Sequence, residues 1–259
     1  MNESVSSVAS PIQTRAFHAS HGLRALPELA MTEERLPFTI RVVRNEADLK
    51  KAVQIRQSAY ARHVPELAEK LKQPEALDIE PGVVVLLAES KVDGAPLGTM
   101  RIQTNLYAPL ILEQSIDLPD WLKHHTLAEA TRLGITQDGA GRLVKTALFK
   151  SFYQYCKAIG IEWMVIAGRS PIDRQYERLM FADVYPDLGY VPLRHANNMP
   201  HRIMAFEVDA AEEKWRTAHH PLYNFVFQTS HPDLSTVAGS RASSLVRPPS
   251  SEPDTIRLV

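Results

Sequence analysis

Residues 127–168 read LAEATRLGITQDGAGRLVKTALFKSFYQYCKAIGIEWMVIAG. Leu127 to Ile135 is a short run of mostly apolar and small residues, which predicts a buried strand. Asp138-Gly139-Ala140-Gly141-Arg142 is a glycine-containing turn. Behind it Val144, Leu148, Phe152, Tyr155 and Ile159 form one apolar stripe, so a helix is predicted from about Arg142 to Ile159. Glu162 to Ala167 predicts the next strand. The unit is therefore strand, turn, helix, strand.

Working outward, Phe38 to Val43 alternates as a first strand, and Asn45 with Asp48 makes a helix start. Leu49, Ala52, Val53, Arg56 and Tyr60 share one face of that helix. Gly82 to Glu89 and Leu97 to Thr104 are strands joined by the hairpin chemistry of Val92-Asp93-Gly94-Ala95. A helix over Asp173 to Phe181 and strands around Gly189 to Leu193 and Arg202 to Val208 complete the pattern. The aromatic-rich stretch 211–235 is expected to pack onto the domain. This order predicts an α/β fold with a mixed central sheet and helices on both faces. With 44% hydrophobic residues in 259, the chain can bury one sizeable core. Residues 1–36 and 237–259 read as disordered extensions, leaving 37–236 as one domain.

Composition narrows the function. A net charge of −1 gives no general attraction to nucleic acid. No apolar run approaches the roughly 18 residues of a membrane span, so no integral membrane segment is expected and the cytoplasm is the expected compartment. Cys156 is the only cysteine, and His124-His125 and His219-His220 lack ligand spacing, so no metal is expected.

Charged residues in apolar settings mark the candidate site. Glu129 and Arg132 lie inside the strand 127–135; regular alternation points them to opposite faces, whereas a bulge brings both to one cleft. Arg56 lies on the inward stripe of its helix, and Arg101 shares a strand face with Thr99 and Gln103. A buried guanidinium needs an anion. For Arg56 that anion is either a ligand or an internal partner, with Asp78 and Glu129 as candidates. The glycine turn offers backbone amides and a helix N-terminus to phosphate, or is a plain βα turn. The helix behind it carries Arg142, Lys145, Lys150 and Lys157, and no acid occurs between Asp138 and Glu162. A cationic helix of this kind suits a phosphopantetheine donor on coenzyme A or on an acidic carrier protein.

Gly98-Thr99-Met100-Arg101, Glu129-Ala130-Thr131-Arg132-Leu133 and the basic helix together resemble the GNAT-fold N-acyl amino acid synthases of the N-acyltyrosine-forming type, relatives of the acyl-homoserine-lactone synthases. Ile55-Arg56-Gln57-Ser58-Ala59-Tyr60 and the late His220-Pro221-Leu222-Tyr223 and His231-Pro232-Asp233 add to the resemblance, which covers roughly 38–235. It implies a GNAT fold and acyl transfer from acyl-ACP or acyl-CoA to an amino acid, with no bound cofactor. By the same resemblance Glu129 is the acid/base residue, and Arg56, Tyr60, Arg101 and Arg132 line the acceptor cleft. Gly139, Gly141, Arg142 and Lys145 hold the pantetheine phosphate, and an acyl carrier protein docks along 142–157. Tyr185-Pro186-Asp187-Leu188-Gly189-Tyr190 resembles the Tyr-x-x-Leu-Gly-Phe run of GNAT acetyltransferases, which makes Tyr185 a candidate acid for the leaving thiolate. Of the paired acids of homoserine-lactone synthases, Asp78 matches one. The alternatives are an acetyl-CoA-dependent N-acetyltransferase and a non-catalytic acyl- or carrier-protein-binding module.

Overall fold

The computed structural model describes residues 31–137 and 139–236. The architecture is that of the unit that begins at Thr32. Residues 1–30 and 237–259, expected as disordered, lie outside the described residues. The expected boundary at 37 is corrected, because Thr32–Glu33 (β1) pairs with Thr229–Ser230 and Leu36 is buried.

β2 (Phe38–Val42) leads into α1 (Glu46–Ala61), where the Asn45 side-chain oxygen accepts from the Asp48 amide at 2.9 Å. The short α2 (Pro65–Lys70) and a 3-10 turn at Ala76–Ile79 left no periodic signal in the sequence. The hairpin β3 (Val83–Ser90) and β4 (Pro96–Thr104) follows, then a 3-10 turn at Ile111–Gln114 and α3 (Asp120–Lys123). The central unit is β5 (Leu127–Ile135), α4 (Gly141–Ile159) and β6 (Trp163–Gly168), close to the predicted bounds. α5 (Asp173–Arg178) is shorter than expected, and Met180 beyond it takes a left-handed φ of 68° that no helix accommodates. β7 (Ala182–Asp183), β8 (Val191–Leu193), β9 (Met199–Glu207), α6 (Ala211–Thr217), β10 (Thr229–Ser230) and β11 (Leu234–Ser235) finish the unit.

The main sheet runs β11-β2-β3-β4-β5-β6-β9-β7, with β8 also paired to β9. β11/β2 and β5/β6 are parallel and the other pairs antiparallel, so the sheet is mixed. Strand alternation divides the core between two faces. Leu86 and Ala88 pack with Val144, Leu148 and Phe152 of α4, while Val85 and Leu87 meet Leu49, Ala52 and Val53 of α1. α1 lies close on β5, since a Cβ at Gly134 would stand 3.0 Å from the Arg56 Cα.

Two irregularities shape the centre. Parallel pairing of β5 with β6 ends at Ala130↔Ile166, so the rest of β5 runs on without β6 as a partner. On its other edge, Arg101 opposes Thr131 but Thr99 opposes Gly134. Met100 therefore faces both Arg132 and Leu133, a bulge in which Arg132 adopts a φ of 55°.

Candidate active site

The bulge turns Arg132 to the face that carries Thr131 and Glu129, as one of the two sequence readings required. Three guanidiniums meet there. Arg56, fully buried, grips Asp78 with Nη1–Oδ2 and Nη2–Oδ1 both at 2.9 Å. Arg101, also fully buried, donates from Nε to Thr131 Oγ1 at 3.0 Å and from Nη1 to Glu75 at 3.0 Å and Asp78 at 3.3 Å. Arg132 holds Glu75 through two bonds of 2.7 and 2.6 Å, donates to the His195 carbonyl at 2.9 Å, and engages the Tyr60 hydroxyl. Glu75 also reaches Arg56 at 3.3 Å, so one carboxylate touches all three arginines. Burial works to raise its pKa, yet the guanidiniums, Arg132 foremost, hold it down to about 2.

Glu129 is fully buried on β5, opposite Gln103 and beside Val165. Its Oε2 accepts from the Leu112 amide at 3.2 Å. Burial pushes its pKa up to about 7 against the opposing pull of that amide, Arg101 and Arg132. His195 is held neutral, its pKa lowered to about 3 by burial and then by Arg132, His201 and Arg101. Arg101 Nη2, Glu129 Oε1 and His195 Nδ1 are buried without a hydrogen-bond partner among the described residues. Arg101 and Arg132 act electrostatically on both Glu129 and His195, so the orphaned atoms of these two residues lie within reach of the same pair of guanidiniums. Unpaired buried polar atoms are costly, and several together fit a polar ligand.

Several sequence assignments change. Arg56, placed in the acceptor cleft by the resemblance, has both terminal nitrogens committed to Asp78, the internal alternative. The Tyr185 hydroxyl donates to the Asp117 carbonyl at 2.5 Å. Tyr176-Glu177-Arg178-Leu179-Met180-Phe181 departs from the Tyr-x-x-Leu-Gly-Phe pattern at one position, as Tyr185 to Tyr190 does, and Met180 takes the left-handed conformation at the glycine place. The Tyr176 ring lies against Gly168 at the end of β6, where β5 and β6 have separated. Burial raises its pKa, with Tyr60 adding to the effect.

At the turn, Asp138 lies outside the described residues. Gly139 has open space on its Cβ side, whereas a Cβ at Gly141 would stand 2.4 Å from the Thr136 carbonyl oxygen. Gly141 thus lets α4 start hard against the end of β5. Among the described residues the first turn of α4 carries no acid and no side-chain cap bond, and a helix N-terminus favours an anion. Arg142 is exposed beside it, and half-buried Lys145 bonds Gln175 of α5. The continuous cationic face expected over 142–157 is corrected. Lys150 points into the core, donating to the carbonyls of Phe225 and Thr229 at 2.8 and 2.5 Å and to His231 Nδ1 at 2.8 Å. Lys157 is paired with Asp209.

Glu75 and His195 were missed. Glu75 sits in the polar run Lys72-Gln73-Pro74-Glu75 and looks like a solvated charge, but its spacing from Asp78 was a usable signal for the second of the paired acids. His195 offered no signal. Among the described residues no His/Cys/Asp/Glu group is arranged to hold a metal ion, and no helix is long and apolar enough to cross a membrane.

No family model matches the chain, and no curated protein matches it in sequence. Among solved structures, FeeM, an N-acyl amino acid synthase from uncultured soil microbes, superposes with a TM-score of 0.54 at 16% identity, over 73% of this chain and 96% of that one. The chain has the GNAT fold. BjaI, a CoA-dependent acyl-homoserine lactone synthase, aligns at a TM-score of 0.47 and 13% identity over 75% and 93% of the two chains. NAA60 of Arabidopsis thaliana, in complex with acetyl-CoA, aligns at 0.45 and 18% over 66% and 99%. Within this GNAT fold the parting of β5 from β6, the first turn of α4 and the arginine cluster lie about one strand.

Proposed function

We propose that this chain transfers a fatty acyl group from a phosphopantetheine thioester, carried by acyl carrier protein or coenzyme A, to the α-amino group of an amino acid. One observation carries the reading: a buried guanidinium nitrogen, Arg101 Nη2, and a buried carboxyl oxygen, Glu129 Oε1, lack partners in the same arginine-lined site. An amino acid supplies both complements, a carboxylate for Arg101 and an ammonium for Glu129.

Glu129 Oε1 takes a proton from the ammonium, a transfer favoured by a pKa of about 7 that lies near working pH. The freed amine adds to the thioester carbonyl, and the β5 backbone beyond Ala130, no longer paired to β6, offers amides to the oxyanion. The C–S bond then breaks as Tyr176 gives its phenolic proton to sulfur, and the second proton of the nitrogen passes to the Tyr176 phenolate, leaving amide and thiol. Glu129 releases its proton to solvent. Gly139, Arg142, Lys145 and the first turn of α4 hold the donor phosphate, and Arg142 meets the carrier protein.

The test incubates the purified chain with long-chain acyl-ACP, acyl-CoA or acetyl-CoA and with amino acids or their amides, and identifies products by mass spectrometry. N-acyl amino acids from long-chain donors are expected. Turnover confined to acetyl-CoA and amines without a carboxylate overturns the reading.

A further inference from the structure

Beside the arginine cluster lies a cavity of about 300 Å³ lined by Arg169, Ser170, Tyr190, Met199 and Pro200. It belongs to the same neighbourhood through the β8–β9 hairpin. His195, whose carbonyl accepts from Arg132, sits in the hairpin's turn, and Met199 and Pro200 open β9. His201, two residues after Met199, is within electrostatic reach of both Arg132 and Arg169.

Arg169 is the unusual member. It is half-buried, directly follows the last residue of β6, and its guanidinium has no ion pair or hydrogen bond among the described residues. Arg202, close in the fold, is by contrast bound to Asp173, Glu177 and Asp183. The Tyr190 hydroxyl is likewise occupied, donating to Asp173 Oδ2 at 2.6 Å, so its ring is left as wall. The cavity thus has apolar sides from Met199, Pro200 and Tyr190 and one uncommitted cation. Charge count over the wider site agrees. Arg56, Arg101 and Arg132 face the carboxylates of Glu75 and Asp78, Arg169 adds a fourth cation with no carboxylate of its own, and burial works against the charge of Glu129.

We infer that this cavity receives the side chain of the acceptor amino acid and that Arg169 selects one ending in a carboxylate. The inference rests on the proposed function for the α-amino and α-carboxylate ends. A dicarboxylic amino acid places one carboxylate at Arg101 Nη2 and the other at Arg169, with its methylenes along Met199 and Pro200. The planar fork of Arg169 discriminates a carboxylate from an isosteric amide, which presents donors to a donor.

The experiment compares glutamate with glutamine at a fixed acyl donor. The parent chain should prefer glutamate in kcat/KM by about tenfold or more, the usual scale of one charged contact. Arg169→Ala should bring that ratio to near unity, and Arg169→Lys should restore part of it. Thermal-shift titration with each amino acid reads binding without turnover. Glutamate should stabilise the parent more than glutamine does, and this difference should vanish in Arg169→Ala. An unchanged glutamate-to-glutamine ratio in Arg169→Ala overturns the inference. So does a rise in donor KM alone, which would make Arg169 a contact of the donor's phosphates. If no N-acyl product forms while the Arg169-dependent glutamate shift remains, the proposed reaction fails and the anion subsite stands.

Discussion

Arg56 and Asp78 form a bidentate ion pair with no side-chain exposure on either partner, both contacts at 2.9 Å. The pair fastens the 3-10 turn at Ala76–Ile79 to α1 and so fixes the loop that brings Glu75 onto Arg101 and Arg132. Removing one member of such a pair strands a buried charge. Asp78→Ala should therefore lower the free energy of unfolding by about 3–5 kcal/mol, read by urea denaturation. A loss below about 1 kcal/mol would show that solvent reaches this pair.

Acceptor recognition is expected to follow Arg101 instead. Arg101→Lys should raise the KM for a free amino acid about tenfold or more, because ammonium geometry does not reproduce the guanidinium fork. The KM for the corresponding amide should change much less. If both acceptors suffer alike, the carboxylate is held elsewhere.

Glu129 gives two linked pH effects. Its base form is needed for turnover, so kcat/KM should climb with pH and level above about 7, and Glu129→Gln should lower turnover by about 10²-fold and abolish that limb. Stability runs the other way. The folded carboxyl keeps its proton up to about 7, above the ordinary value of 4.5, so the native state binds more protons between those pH values. This contribution is full below pH 4.5 and falls away as pH rises to 7. Glu129→Gln should lose that slope and be more stable than the parent above pH 7, checked by melting temperature across pH. A variant with the parent's pH–rate profile would remove Glu129 from the mechanism.

Lys150 and Arg142 separate folding from docking. Lys150→Glu would set a carboxylate against the carbonyls of Phe225 and Thr229 and should cost more than about 3 kcal/mol. Any loss of carrier-protein use in that variant should track its lower melting temperature. Arg142 is exposed, so Arg142→Glu should leave melting nearly unchanged while raising the KM for acyl-ACP more than for acyl-CoA. Because rim charges steer partners through solvent, the difference should shrink as salt rises. Equal effects on both donors would place the carrier protein on another surface.

The two glycines of the donor turn should respond differently. Gly141→Ala meets the Thr136 carbonyl at 2.4 Å and should destabilise the fold and shift the start of α4. Gly139→Ala meets nothing within 4 Å among the described residues, so a rise in donor KM without a change in melting would show that the donor approaches there. No change in either quantity would free Gly139 of any donor role.

Local pattern by itself determined the order of the longer elements, because strand alternation, helical stripes and the Asn45 cap are written over a few neighbouring residues. It placed β5 at its observed bounds and α4 within one residue, and marked Glu129, Arg132, Arg101 and Arg56 as charges in apolar settings. What those charges pair with was decided only by tertiary structure. The Arg56–Asp78 pair spans a separation of 22 residues, Arg132 reaches Glu75 across 57, and Lys150 reaches His231 across 81. A stripe on α4 could show that Lys150 lay off its apolar face, but not that β10 and the turn before it would close over that side. The bulge at Arg132 likewise depends on the register of two strands, which pairing sets and no single strand encodes. An ion's partner depends on which segments of chain meet in space, so the sequence named the charged groups and the fold chose between ligand and neighbour.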